Sequence, residues 1–422
     1  MLKSLELHSV GPIQDLSAGF GERLNVLTGD NGLGKSFLLD VAFWALTGAW
    51  PGGRVALPEP GGKKDKPTIT YQITGKNGSA GRKTARFDFR TQSWARPPGR
   101  LIMPGLVVYA AVDDTFGVWD PARNYGRDTP PEQTEFPSAY HFTRETLANG
   151  SRDNGRVLCD GLVRDWVSWY DQQASRRTTS PFPLLERVIG LLSHPEEQMT
   201  AGQPRRLYLD DTREFPTITM PYGNVPFPQL SAGVRRIVSL AYLLVWAWHE
   251  HTRAAKLRKE KATTQLVLLV DEIEAHLHPK WQRVILPALL KVAEGLQARI
   301  AVQVIVATHS PLVLASLEPL FDERKDHFFW CDLDKTRVHF RQTPWQKHGD
   351  VVGWLTSEIF GLKQARSQEA ERAIAAAHAY LRGDQAALPP GLRSREQIDQ
   401  ALRDTLPTLD PFWPRWMVNT DQ

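Results

Sequence analysis

Four short segments hold the residues whose types and spacing could do chemistry, and three of them address a nucleoside triphosphate. GDNGLGKS, from Gly29 to Ser36, meets the pattern GxxxxGK[ST] at every fixed position. In such a loop Gly29, Gly32 and Gly34 let backbone N–H groups turn inward around a β-phosphate, and Asp30, Asn31 and Leu33 fill the positions between them. Lys35 brings its charge to the β- and γ-oxygens, and the Ser36 hydroxyl ligates Mg²⁺. LVLLVDEIEAHLHP, from Leu266 to Pro279, is an apolar run that ends in paired carboxylates. Asp271, at the strand end, can hold hydrated Mg²⁺ opposite Ser36. Glu272, one residue on, is the natural base or orienting group for the attacking water. In VIVATHSP, from Val304 to Pro311, His309 stands just past a strand, where an imidazole can donate to the γ-phosphate. The predicted cofactors are ATP and Mg²⁺.

The fourth segment, LSAG from Leu230 to Gly233, opens an apolar helix. Ser231 is an N-cap candidate, and Gly233 keeps the helix end slim enough for a phosphate to approach. In this order the four pieces resemble the parts of a nucleotide-clamping ATPase of the ABC type. There the LSAG element completes the site of a second chain, so the resemblance implies an ATP-dependent homodimer, or a higher oligomer, as well as a chemistry.

Other polar residues have plainer readings. His276 and His278 spell HxH, but no third ligand is evident and magnesium needs no imidazole, so they read as loop and cap residues near a dimer surface. Asp120 and Gln92 are candidate metal or water contacts in the absence of an unambiguous glutamine-loop motif. Arg235 and Arg236 suit a phosphate or a partner's carboxylates, and the sequence leaves that choice open. The basic stretch Arg253, Lys256, Arg258, Lys259 and Lys261 suits a solvated loop better than a nucleic-acid contact.

The elements that must position these residues follow from periodicity. Leu2 to Leu7 and Leu24 to Leu27 read as two strands around a turn at Gly11–Pro12, the second running into the glycine loop and then an apolar helix, Phe37 to Leu46. Residues 51 to 67 look like an exposed loop. Thr68 to Thr74 and Thr84 to Phe89 form a hairpin around 75 to 83, and Leu106 to Val112 is a buried strand before an irregular segment, Asp113 to Glu135. Helical spacing runs from Leu162 to Leu192, broken at Pro181 and Pro183. Short strands are expected at Arg206 to Leu209 and Thr217 to Met220, then an apolar helix from Ile237 to Trp248. Buried strands at Leu266 to Val270 and Val302 to Ala307 flank a helix, Trp281 to Leu296. The tail is helical at Leu355 to Phe360 and Ser367 to Leu381.

Composition sets the outer limits. The chain has 422 residues, 41% hydrophobic and 23% charged, which suits a globular α/β protein with a large core. A net charge of +4 permits nucleic acid without arguing for it. Cys159 and Cys331 form no metal-spaced set, and no segment is long and apolar enough to span a bilayer, so a cytoplasmic protein with reduced thiols is expected, without a membrane partner. Fourteen tryptophans are expected to fill cores or interfaces.

DEIEAHLHPKWQR (Asp271 to Arg283) and THSPLVLAS (Thr308 to Ser316) carry a closer resemblance. They are similar to the ATPase heads of the SMC, RecF and OLD-like group, and within it to short bacterial AAA family proteins such as the ATPases of Septu and some retron anti-phage systems. The likeness runs from the first strand to the FGL at Phe360. It implies a P-loop NTPase of the ABC-ATPase head type: a mixed sheet core, a helical insertion lobe and a helical C-terminal tail. A single domain over 1–422 would then hold a nucleotide-binding core at 1–120 and 264–345. A signature lobe would occupy 121–263 and an extension 346–422. It gives Lys35, Ser36, Asp271, Glu272, Ser231 and His309 the roles above, and implies an effector partner such as a nuclease. The chain departs from OLD-type nucleases in lacking an acidic nuclease domain, and from SMC proteins in lacking the long arm. A DNA-repair head acting on DNA is the alternative. A transporter subunit fits less well, because 195 residues separate Ser36 from Ser231.

Overall fold

The alternating N-terminal segment folds as two strands, β1 (Leu2–Val10) and β2 (Ile13–Gly19), and the strand feeding the glycine loop, β3 (Leu24–Gly29), is a third. The Gly11–Pro12 turn therefore joins β1 to β2, not to β3 as the sequence suggested. Ile13, Leu16 and Ala18 are buried on one face, an alternation too sparse to announce itself. The computed structural model describes every residue except 59–65, 76–77, 79, 96–101, 125–138, 176–179, 296–299, 336 and 419–422. Parts of three expected segments, 51 to 67, 75 to 83 and 113 to 135, fall outside the described residues, as does Leu296.

After β3 the chain enters α1 (Lys35–Thr47), which is apolar on every side and buried over ten of its 13 residues. A helix of that kind needs cover all round. One side is a five-stranded sheet, in the order β2, β1, β4 (Thr68–Thr74), β5 (Ala80–Asp88) and β6 (Ser93–Trp94). Leu5 and Leu7 of this sheet share a core with Leu39 and Phe43 of α1 and with Val267 and Ile305 of the larger sheet.

The larger sheet gains strands from all along unit one. β7 (Leu106–Ala110), β8 (Phe116–Trp119) and β9 (Tyr140–Phe142) come first. β8 lies inside the segment expected to be irregular, and β9 carries the sheet past residue 120. Next stand α2 (Arg144–Asn149), the paired β10 (Ser151–Asp153) and β11 (Arg156–Cys159), α3 (Leu162–Ser175) and α4 (Phe182–Leu192). A three-stranded sheet of β12 (Thr200–Arg206), β13 (Glu214–Met220) and β14 (Gly223–Pro226) follows, so the strand expected at Arg206 to Leu209 ends where it was expected to begin. α5 (Ala232–Leu257) is longer than its apolar run, so Arg253 and Lys256 lie on a helix, not a loop, and Arg258 is its C-cap. β15 (Gln265–Val270), α6 (Pro279–Gly295), β16 (Ala301–Ala307), α7 (Pro311–Leu317), β17 (His327–Asp334) and β18 (Arg337–Thr343) complete it.

The eight-stranded order is β18-β17-β3-β16-β15-β7-β8-β9. The central five, β17 to β7, run parallel, and the edges are antiparallel. Parallel strands deliver their carboxyl ends to one edge, where open α/β sheets place ligands. The loops after β3, β15 and β16 all leave from that edge. The tryptophans do fill cores: Trp166 packs edge-on against Phe182, and Trp246 against Phe142.

The chain divides into two compact units, Met1–Lys347 and His348–Gln422. The second is helical: α8 (Val351–Leu355), α9 (Gln368–Leu381), α10 (Arg395–Thr405) and α11 (Trp413–Val418). α8 ends where the expected helix at Leu355 to Phe360 would start. Small residues on α9, Ala373 and Ala377, let Ile398 and Leu402 of α10 pack closely in a core of their own. No helix among the described residues is long and apolar enough to cross a membrane.

Candidate active site

The glycine loop is held by its neighbour strand. Gly29 has φ 133°, and a Cβ there would lie 2.0 Å from the Cys331 carbonyl oxygen on β17, so only glycine fits. Gly32 and Gly34 also have positive φ, 77° and 88°. Leu33 is buried and anchors the loop, while Asp30 and Asn31 are exposed. α1 begins at Gly34 with no side-chain cap and no acidic residue in its first turn, which leaves a helix N-terminus suited to an anion. Lys35 is buried, and its Nζ donates to the carbonyls of Gly29 at 3.0 Å and Asp30 at 2.7 Å. Burial pulls its pKa down, opposed by the nearby Cys331, Asp271, Glu272 and Asp30.

Asp271 follows β15, and its N–H donates to Ala110 O at 2.9 Å. Its carboxyl is 1% exposed and raised in pKa by burial, against a hydrogen bond with Ser36 that favours the ionised form. Its Oδ1 has no hydrogen-bond partner among the described residues. A buried, unpaired carboxylate oxygen beside a serine hydroxyl suits a hard divalent cation, so Ser36 and Asp271 fit Mg²⁺. Among the described residues no cluster of three His, Cys, Asp or Glu suggests another metal site.

Glu272 sits at φ 44°, a left-handed conformation that turns the chain sharply and leaves its carboxylate half exposed over the cleft. His309 Nε2 lies 3.9 Å from Glu272 Oε1. Burial and then the Lys35 charge lower the His309 pKa, against Asp271 and Asp30, which favours the neutral imidazole. Two residues give this pair its frame. Glu274 accepts from the His309 N–H at 2.6 Å and the Thr308 hydroxyl at 2.8 Å. Gln282 accepts from the Ser310 hydroxyl at 2.7 Å and donates to Leu277 O at 3.0 Å. Asn31, Gly32, Lys35, Ser36, Glu272 and His309 line a common cleft of about 720 Å³. The sequence offered no signal for the positioning roles of Glu274 and Gln282 beyond their closeness to Glu272.

Ser231 and Gly233 do not line that cleft. Ser231 is exposed and N-caps α5, accepting from the Val234 N–H at 3.4 Å. Gly233 is buried, and a Cβ there would meet the His276 carbonyl at 2.5 Å. Its smallness therefore serves packing within this chain, beyond any approach of phosphate. His276 has φ 63°, and His278 caps α6 by accepting from Lys280 N–H. Both arginines after the signature turn inward. Arg235 donates to the carbonyls of Pro228 and Leu230. Arg236 is buried and donates to Asp271 O at 2.7 Å and Val112 O at 3.0 Å, with Asp114 Oδ1 at 3.3 Å.

The two glutamine-loop candidates lie elsewhere. Gln92 is in the exposed turn between β5 and β6, donating to Phe89 O. Asp120 is fully buried and joins Arg123, His251 and the Ala122 N–H. Those partners hold its pKa below the usual carboxylate value against burial, and it does not line the cleft, so it reads as a structural knot.

The chain is similar to several known proteins, some of them named as ATPases. Residues 124–315 match a family described as an AAA domain, putative AbiEii toxin, Type IV TA system. The chain is 21% identical over 400 residues to the Septu protein PtuA of Bacillus thuringiensis, covering 87% of this chain and 86% of that one. It is 42% identical over 98 residues to the Retron Ec83 probable ATPase of Escherichia coli, 23% of this chain and 15% of that protein. Among solved structures, an SMC head bound to the C-winged helix domain of ScpA aligns at TM-score 0.46 and 13% identity, over 81% of this chain and 97% of that one.

Proposed function

We propose that this chain, an ATPase whose residues 124–315 carry an AAA domain, acts as an ATP-switched clamp that controls a partner effector in anti-phage defence. Lys35 and the N–H groups from Gly29 to Ser36 hold the β- and γ-phosphates, and Ser36 with Asp271 holds Mg²⁺, which would neutralise charge on the transferred phosphoryl group. Glu272 orients and deprotonates water for in-line attack, and neutral His309 donates to the γ-phosphate. Ser231 and Gly233 of a second copy close over that phosphate, so two chains enclose two ATP. The observation that carries this reading is the split of the machinery: Lys35, Ser36, Glu272 and His309 share one cleft, whereas Ser231 caps a helix elsewhere on the same chain. Relatives named Septu protein PtuA and Retron Ec83 probable ATPase support an ATPase of the Septu and retron kind. The resemblance of Asp271 to Arg283 and Thr308 to Ser316 to that group implies the defence role, a nuclease as the effector and a cytoplasmic setting.

Glu272→Gln is the decisive variant. ATP hydrolysis should fall by about 10²–10⁴-fold while ATP binding persists, and a nucleotide-dependent dimer should accumulate. A variant that binds ATP yet stays monomeric by light scattering would falsify the clamp.

A further inference from the structure

We propose that the groove bounded by α3, the β10–β11 pair and the C-terminal half of α5 docks an extended, acidic segment of a partner protein. Its volume is about 1620 Å³, beyond the roughly 300–1,000 Å³ usual for a small-molecule pocket. None of the residues of the nucleotide cleft lines it. One wall is a stripe on α5, where His249, Arg253 and Lys256 recur at helical spacing on a single face. Arg152 from β10 and Arg164 from α3 line the groove too. Arg152 and Lys256 have no ion pair among the described residues. Arg253 and Arg164 have exposed pairs, at 3.4 Å and 3.6 Å, of the kind water readily replaces.

Apolar side chains line the groove as well: Val157 of β11, itself 47% exposed, and the half-buried Val167 of α3, with the buried Val163 one turn before it. Cations together with apolar side chains complement a segment that alternates carboxylates with apolar side chains. The β10–β11 sheet has two strands only, so each has an edge able to bond an extended backbone. A nucleic acid suits the groove less well. Asp160, Asp171 and Glu214 interrupt the cations and would repel a continuous polyanion, and no phenylalanine, tyrosine or tryptophan lines the groove to stack a base.

The test uses the full chain without nucleotide, so its result stands whether or not ATP drives dimerisation. Binding is measured to an array of short synthetic peptides of acidic–apolar, neutral and basic composition, and to a labelled single-stranded DNA. Acidic–apolar peptides should bind, and Arg253→Glu combined with Lys256→Glu should weaken them by at least about tenfold. Val167→Asp should do the same through the apolar lining. Circular dichroism checks folding, and Arg152→Glu on β10 repeats the test if the double variant unfolds. The proposal fails if no acidic–apolar peptide binds, if charge reversal leaves binding unchanged, or if DNA is the ligand whose binding these variants lose.

Discussion

Two helices of this molecule begin at positions suited to phosphate, and they are built differently. α1 starts at left-handed Gly34, with no side chain capping its first turn. α5 starts at Ser231, whose hydroxyl takes the Val234 N–H, and its first turns are pinned by Arg236 to the carbonyl of Asp271 and by the close approach of Gly233 to His276. The first helix leaves its end open, as the proposed phosphate site requires. The second is tied to its own chain's Asp271–His276 turn, so in the proposed clamp anything that presses on Ser231 would also press on the backbone that carries Glu272. Similar helix ends would then serve as a holder in one case and as a coupling in the other.

The comparison can be broken most severely at α1. Lys35→Ala should weaken ATP binding by about 100-fold, since charge-assisted hydrogen bonds to phosphate are worth roughly 1.5–3 kcal/mol each. Unchanged affinity in a titration with a fluorescent ATP analogue would remove α1 as the holder. Two changes at α5 then separate packing from contact. Gly233→Val must displace the His276 carbonyl and should cost about 1–3 kcal/mol of stability, read as a lower melting temperature. Ser231→Arg, on an exposed residue, removes only the α5 cap and should cost about 1 kcal/mol of stability, yet slow hydrolysis by about tenfold, the loss of one phosphate contact. If Ser231→Arg hydrolyses ATP at the normal rate, α5 is a strut and nothing more.

The smallest effect sharpens how α5 is anchored at its middle. Tyr242 donates to Asp165 of α3 at 2.6 Å, and burial lifts the Asp165 pKa to about 7. In the unfolded chain this carboxyl ionises near the ordinary aspartate value of 3.8. The folded state therefore loses relative stability as pH rises from about 4 to about 7, and above that carries the full cost of a buried charge. Asp165→Asn should raise stability by on the order of 2 kcal/mol above pH 7 and by progressively less towards pH 4. Thermal melts at several pH values would show it, and a gain that did not fade on acidification would contradict the assignment.

Much of the site was legible because its chemistry is local. The glycine loop, the Asp271–Glu272 pair and His309 each sit within a few residues of the strand that presents them, and those strands are continuous apolar runs. What escaped reading was set by distant partners. β17 and β18 mix aromatic and charged residues and become strands by pairing with β3 and each other. Asp120 looked like a metal contact because its partner His251 is 131 residues away. Arg236 looked available to phosphate because nothing in LSAGVRR reveals that it reaches Asp271 and Val112. Side chains whose role is to join elements carry no signature of that role.

The length of α5 has a mechanical meaning. Its 26 residues span about 39 Å at 1.5 Å per residue. Arg236 fastens it about 6 Å from its start, leaving Lys256 about 30 Å beyond that point. Tyr242 ties its middle to Asp165, and it is buried without a break from Arg236 to Trp248, so it is a strut held along its length and not a free lever. In the proposed clamp, a push at Ser231 would reach the groove at Lys256 along the axis, as a slide of the whole rod.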